Sequence, residues 1–215
     1  MRKTVLPVHQ ARSRDSLNRL LKATVEVLDE HGIEGATIPR IAARANVSPG
    51  TVYRRFRDKD ALLREVCLRM LEQNYRETKE LFAAERWKGK RLAEVVRSVI
   101  ALTLKGQRAH RGLMRAILFF TLQHPDAAFV RKSAELQPKV LADLAELLLT
   151  RRSEIRHPHP ELAVKFAMLM VGIAVQGTII LPRNPAALGR FVPGLEDQIE
   201  SELARMCLRF LGMED

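Results

Sequence analysis

Between Val47 and Phe56 the chain reads VSPGTVYRRF. The side chains gathered there suit one kind of chemistry. Thr51 and Tyr53 offer hydroxyls, while Arg54 and Arg55 offer guanidinium groups. A guanidinium fork bonds phosphate or the edge of guanine in pairs, and a hydroxyl bonds phosphate singly. These residue types predict a polyanionic partner, nucleic acid first and an anionic membrane second. The charge balance points the same way. The chain of 215 residues carries a formal net charge of +11, and its first 60 residues hold 12 Lys/Arg against 7 Asp/Glu.

For an arginine-bearing stretch to meet a nucleic acid, something must hold it rigid and turn it outward. Leu17, Leu20, Leu21, Thr24 and Leu28 share one face of a helix predicted from Arg14 to His31, stopped by Gly32. Thr37 caps a short second helix with Pro39 in its first turn and Ile38, Ile41, Ala42 and Ala45 inward. Asn46 and Val47 make a turn, Ser48 caps again, and Pro49 opens a third short helix. Two short helices joined by a tight turn read as a helix-turn-helix. Ala42 and Ala45 allow the axes to approach, and Val52 and Phe56 plug the core beneath. Thr51, Arg54 and Arg55 then face outward, and Gly50 is small enough for the backbone to approach DNA.

The run HGIEGATIPRIAARANVSPGTVYRRFRDKDALL resembles the DNA-binding domain of the TetR (tetracycline repressor) family of transcriptional regulators. Gly32, Thr37, Ile41, Ala42, Ala45, Val47, Ser48, Gly50, Tyr53, Phe56 and Lys59 match its pattern in order and spacing. The resemblance implies that Thr37 and Arg40 contact backbone phosphates, that Pro49, Gly50 and Thr51 sit at the groove with Arg54, and that Tyr53 bonds a phosphate through its hydroxyl. Ser48 and Arg55 belong to the same interface, and Lys59 would clamp the strand. It further implies an all-α chain of about nine helices. A basic arm (residues 1–13) would precede a helix-turn-helix domain (14–60) and a ligand-binding and dimerisation domain (61–215).

Beyond the third helix, Asp58 caps a long helix reaching about Glu85, a lever between the two domains. Trp87 falls in the following loop, and helices are expected at 92–106, 112–122 and 126–152, the last kinked or broken at Pro138. Residues 162–181 hold one charge, Lys165, over a transmembrane length. Yet Ala163, Ala167, Met170, Ala174 and Gly177 repeat at alternating intervals of four and three, as do Ile199, Leu203, Met206 and Phe210 in the helix at 195–211. Two such seams per chain predict a four-helix bundle across a two-fold axis, the usual family dimer. The resemblance also implies a small-molecule pocket in the C-terminal body. Its candidate linings are Tyr75, Leu102, Phe119, Phe120, Gln123, Met168, Gly172 and Gln176, an apolar set suited to a hydrophobic effector.

No GxSxG, Walker-type loop or dinucleotide fingerprint occurs, so neither a catalytic residue nor a cofactor is assigned. Cys67 and Cys207 stand far apart, and the histidines, His157 and His159 included, lack zinc spacing, so no metal site is assigned. The N-terminus has no apolar signal core, which together with two lone thiols predicts a cytoplasmic protein. The expected function is a dimeric, ligand-responsive regulator, a repressor by family habit, reading an inverted-repeat operator. The rivals are a sequence-nonspecific architectural DNA binder and a membrane-anchored protein with a basic head.

Overall fold

A computed structural model describes residues 8–124, 128–180 and 194–213. Among these residues the chain is all helical and divides into two compact units. The first is residues 1–71 with 112–132, and the second is residues 72–111 with 133–215. The unit holding the helix-turn-helix thus runs past residue 60 and takes in a later helix.

In the first unit, α1 (Val8–Gly35) begins inside the expected arm, of which residues 1–7 lie outside the described residues. Its path breaks at Gly32, whose φ of 67° falls in the left-handed region that glycine enters without a Cβ penalty. Helical turns then resume to Gly35. Leu20, Ala23, Val27 and Leu28 bury the inward stripe, and the hydroxyl of Thr24, fully buried, donates to Leu20 O at 2.8 Å. That bond removes the cost of an unpartnered hydroxyl in the core. Against this stripe pack α2 (Ile38–Arg44), α3 (Pro49–Tyr53) and the first half of α4 (Lys59–Leu81) through Ile41, Val52, Leu62, Leu63 and Val66.

The structure adds a fifth member to this unit. From α6 (Arg111–Gln123), Leu113, Ala116 and Phe120 enter the same core at 0%, 3% and 2% exposure. A Cβ on Gly112 would lie 1.9 Å from Asp29 O, so only glycine allows α6 to meet α1 there. Asp29 Oδ1 accepts the Leu113 amide at 3.0 Å, satisfying one of the free donors at that helix start. At the far end the His124 ring lies tilted against Phe120, centroids 4.4 Å apart, with Nε2 3.5 Å from Asp60 Oδ2.

The second unit contains the rest of α4, a 3-10 turn at Ala84–Trp87, α5 (Leu92–Ala109), most of α7 (Ala128–Leu149), α8 (Pro160–Ile180) and α9 (Leu195–Phe210). Trp87, expected in a loop, is buried with its indole N–H donating to Leu81 O at 2.6 Å. Glu154 accepts the Leu92 amide at 3.1 Å and caps α5, and Arg151 donates to the carbonyls of Trp87 and Lys90. The closest helix approaches here are α5 with α9, α8 with α9, and α5 with α8. Of the kink or break expected at Pro138, the break is absent: α7 runs through that position as one helix. Pro138 and Ala134, whose carbonyl is left without an amide, are both exposed, so water can serve that carbonyl.

Candidate nucleic-acid interface

The reading head rests on short-range capping. The Thr37 hydroxyl accepts the Arg40 amide at 3.4 Å and starts α2. α2 ends in a turn in which Asn46 takes φ 53° and the Val47 amide returns to Ala42 O at 3.0 Å. Asn tolerates this left-handed conformation better than most residues. Ser48 then takes extended backbone angles, and its Oγ accepts the Thr51 amide at 3.3 Å, opening α3. Asp58 Oδ1 accepts the Ala61 amide at 2.8 Å and opens α4. That bond, first, and the Arg57 guanidinium, second, hold the Asp58 carboxyl below its usual value.

With Val52 fully buried on the inner side of α3, the other side faces out. Tyr53 is 57% exposed, and Ser48, Pro49, Gly50, Arg54 and Arg55 are exposed with it. Arg54 Nη2 donates to Thr51 Oγ1 at 2.8 Å, and that hydroxyl lies 3.0 Å from Ser48 Oγ. The contact holds one guanidinium edge and steadies the side chain. Arg57, in the turn after α3, is nine-tenths exposed with its Nε 3.0 Å from Asp58 Oδ2.

Other cations in the helix-turn-helix hold the fold. Lys59 Nζ donates to Ile33 O at 3.0 Å, and Arg40 Nη1 to Gly35 O at 2.6 Å. Both serve carbonyls that the end of α1 leaves free. Arg44 bonds Glu30 through both terminal nitrogens and Glu26 through one, which raises its pKa and lowers that of Glu30.

The eight expected effector-pocket residues are divided between the two units. Phe120 belongs to the core of the first unit, with Phe119 46% exposed and Gln123 exposed beside it. In the second unit Met168 is core, Tyr75 half-buried, and Gly172 and Gln176 exposed. Leu102 lines an open depression of about 350 Å³ with Ala101, Lys105, Arg108 and Glu200.

The seam on α8 is displaced. Ala163 and Ala167 are buried in the unit's own core, as are Ile199 and Leu203 of α9. Small residues admit a close neighbour, and here that neighbourhood is within the chain, where α8 packs on α5 and α9. Ala174 packs partly on that core, and Gly177 is half-buried. The outward apolar stripe of α8 consists of Leu162, Phe166, Leu169, Met170 and Ile173, exposed by 40–64%. On α9 Met206 and Phe210 are exposed, and the Phe210 ring lies 5.7 Å from that of Phe166, joining the two stripes. The Pro160–Gly177 stretch is long and apolar enough to cross a membrane by length and composition.

Cys67 and Cys207 are buried free thiols, each pushed up to about 12 by burial. Among the described residues no three His, Cys, Asp or Glu side chains group to hold a metal.

A capped helix pair presenting Thr51, Tyr53, Arg54 and Arg55 above a sealed core defines a helix-turn-helix DNA-binding protein. Residues 20–66 match the family described as bacterial regulatory proteins, tetR family. The chain is 26% identical over 166 residues to the HTH-type transcriptional regulator BetI of Burkholderia ambifaria, covering 75% of this chain and 81% of that protein. It is 28% identical over 170 residues to BetI of Burkholderia mallei, covering 75% and 80%. A TetR-family regulator from Mesorhizobium loti shares the fold at a TM-score of 0.67 and 21% identity, over 94% of this chain and 97% of that one. FadR of Bacillus subtilis, solved with stearoyl-CoA, does so at 0.59 and 18%, over 88% and 96%. Residues 20–66 thus match the tetR-family DNA-binding domain, and the proteins that the chain resembles over most of its length are transcriptional regulators.

Proposed function

We propose that this regulator acts as a cytoplasmic homodimer that represses transcription by binding an inverted-repeat operator and lets go when a small hydrophobic effector binds the second unit. The observation that carries the dimer is the joined apolar stripe of α8 and α9, with Leu162, Phe166, Ile173, Met206 and Phe210 in the open. A patch of this kind marks an interaction surface, and a second copy of the same stripe closes it into a four-helix bundle by two-fold symmetry. A membrane would leave the basic reading head unexplained.

Each protomer places α3 in a major groove. Arg54 reads a base edge, with Thr51, Pro49 and Gly50 at the groove, while Tyr53, Arg55, Thr37 and Ser48 meet the backbone. Lys59 and Arg40 contribute to phosphate binding while holding the end of α1. Two heads on one dimer read half-sites roughly 34–36 Å apart or a multiple of that distance. Effector control is supported by the relative FadR, whose structure contains stearoyl-CoA. An effector that prefers the DNA-incompetent arrangement weakens operator binding by its differential affinity for the two states.

Sedimentation of the protein with and without a bound duplex, paired with footprinting, tests this reading. It expects two chains per duplex and a protected region with two-fold symmetry. A monomer leaving a single unsymmetrical footprint refutes it.

A further inference from the structure

Three side chains along α3 are joined in a line. Ser48 Oγ accepts the Thr51 amide at 3.3 Å and lies 3.0 Å from Thr51 Oγ1, which in turn accepts from Arg54 Nη2 at 2.8 Å. Residues three apart on a helix are neighbours on one face. Ser48 and Arg54 are exposed, and Thr51 is half-buried. Thr51 is β-branched, so its own χ1 is restricted, and Ser48 holds it from the other side.

The hydrogens along this line can be counted. One hydroxyl donates across the Ser48–Thr51 contact, so one hydroxyl hydrogen stays available whichever way that bond runs. Arg54 carries five N–H donors. Whichever Nη2 hydrogen Thr51 takes, one two-donor edge of the guanidinium is left over. Arg44 and Arg57 are held differently: Arg44 bonds the carboxylates of Glu26 and Glu30, and Arg57 that of Asp58, so their charges are offset. Thr51 holds Arg54 by a neutral oxygen, which orients the guanidinium without neutralising it.

We infer that Thr51 is a positioning residue: it turns Arg54 so that one two-donor edge faces the DNA, and so sets a preference for guanine at the base position that Arg54 reads. The inference rests on the proposed reading of Arg54 as the base reader, and it adds which base is read and what aims the side chain. Guanine presents two acceptors, O6 and N7, on its major-groove edge, and a guanidinium edge bonds both together. A loose arginine gives up rotamer freedom to make that pair, and one already held gives up less. Thr51 needs no base contact of its own.

The test uses the full-length protein and a duplex it selects from a random pool, varied one base pair at a time. Arg54→Ala locates the position read, where guanine preference should fall roughly 5- to 150-fold. Thr51→Val, which removes the hydroxyl, should lower guanine preference at that same position by about two- to tenfold and at no other. Thr51→Ser, which keeps the hydroxyl, should restore it. In the Arg54→Ala background, Thr51→Val should alter no preference further. Arg54→Lys supplies a second route that leaves Thr51 intact: it keeps the charge without the fork and should lose the guanine preference as Arg54→Ala does. An unchanged preference in Thr51→Val overturns the inference. A loss that is equal at every base pair, falls at another position or persists beside Arg54→Ala makes Thr51 a contact in its own right and overturns it too. So does a guanine preference kept by Arg54→Lys, or a base other than guanine at the position Arg54 reads. If Arg54→Ala alters no base preference at all, the reading of Arg54 fails and the inference falls with it.

Discussion

The two units of this chain solve opposite problems. In the first, the polar groups around the helix-turn-helix are spoken for locally: Thr37, Ser48 and Asp58 each cap the helix that follows, while Lys59 and Arg40 serve the end of α1. In the second, an apolar stripe on α8 and α9 faces outward. A surface that must present the same groups to every operator gains from being finished before it binds. Under the proposed function, the second unit keeps that outward stripe for a second copy of the chain.

The largest effect is expected where the unfinished apolar surface is charged. Leu169→Asp with Ile173→Asp should yield monomers by sedimentation and weaken operator binding roughly 100-fold or more, since two heads no longer bind as one. If the pair remains dimeric, the outward stripe is not the interface. Next comes the sealed core of the reader. Leu62→Ala, at a fully buried position, is expected to cost about 2–5 kcal/mol in chemical denaturation. A loss under 1 kcal/mol would mean that the first unit is not finished in the sense used here.

Arg54→Ala should remove discrimination at one base position worth about 1–3 kcal/mol, read by comparing operator variants. Lys59→Ala sharpens the contrast, because its ammonium already holds Ile33 O. It should lower both the slope of affinity against salt, by about one unit, and the melting temperature. A change in the slope alone would make it only a phosphate clamp. Thr37→Ala is the smallest, about 1 kcal/mol of stability.

The pH dependence of the reader follows from its carboxyls. Asp58 and Glu30 titrate below their ordinary values when folded, held by the Ala61 amide and by Arg44 respectively. A lowered folded pKa contributes stability above the unfolded value, and that contribution is lost as pH falls through the folded one. Stability from these two groups is therefore constant from pH 8 to about 5 and declines in more acidic solution. Thermal melts of the parent and of Asp58→Asn across this range check it: the two should converge at the acid end.

The first unit was legible because its signals are short in range. A cap acts over three residues and the turn at Asn46 over six, so Thr37, Ser48 and Asp58 could be read directly. What escaped was long in range. Nothing local announces that Gly112 presses on Asp29, or that Leu113, Ala116 and Phe120 complete the reader's core. Phe120 could therefore pass for a pocket residue. On α8 the periodicity established which residues share a side, but not which side turns inward, since nearly every position is apolar. Ala163 and Ala167 went to the chain's own core, leaving Met170, Met206 and Phe210 as the part of the expected seam that faces out. Pro138 was overridden by exposure, and the partners of Lys59 and Arg40 lie in another helix.

The central claim is that two copies of this reading head act together on one sequence. Selection of bound duplexes from a random pool by the purified full-length protein, at two salt concentrations, tests it most directly. The account predicts enrichment of a single inverted repeat whose half-sites lie roughly 34–36 Å apart or a multiple of that. Binding that weakens with salt but enriches no sequence would contradict it, and would leave the basic head as a charge clamp on DNA of any sequence.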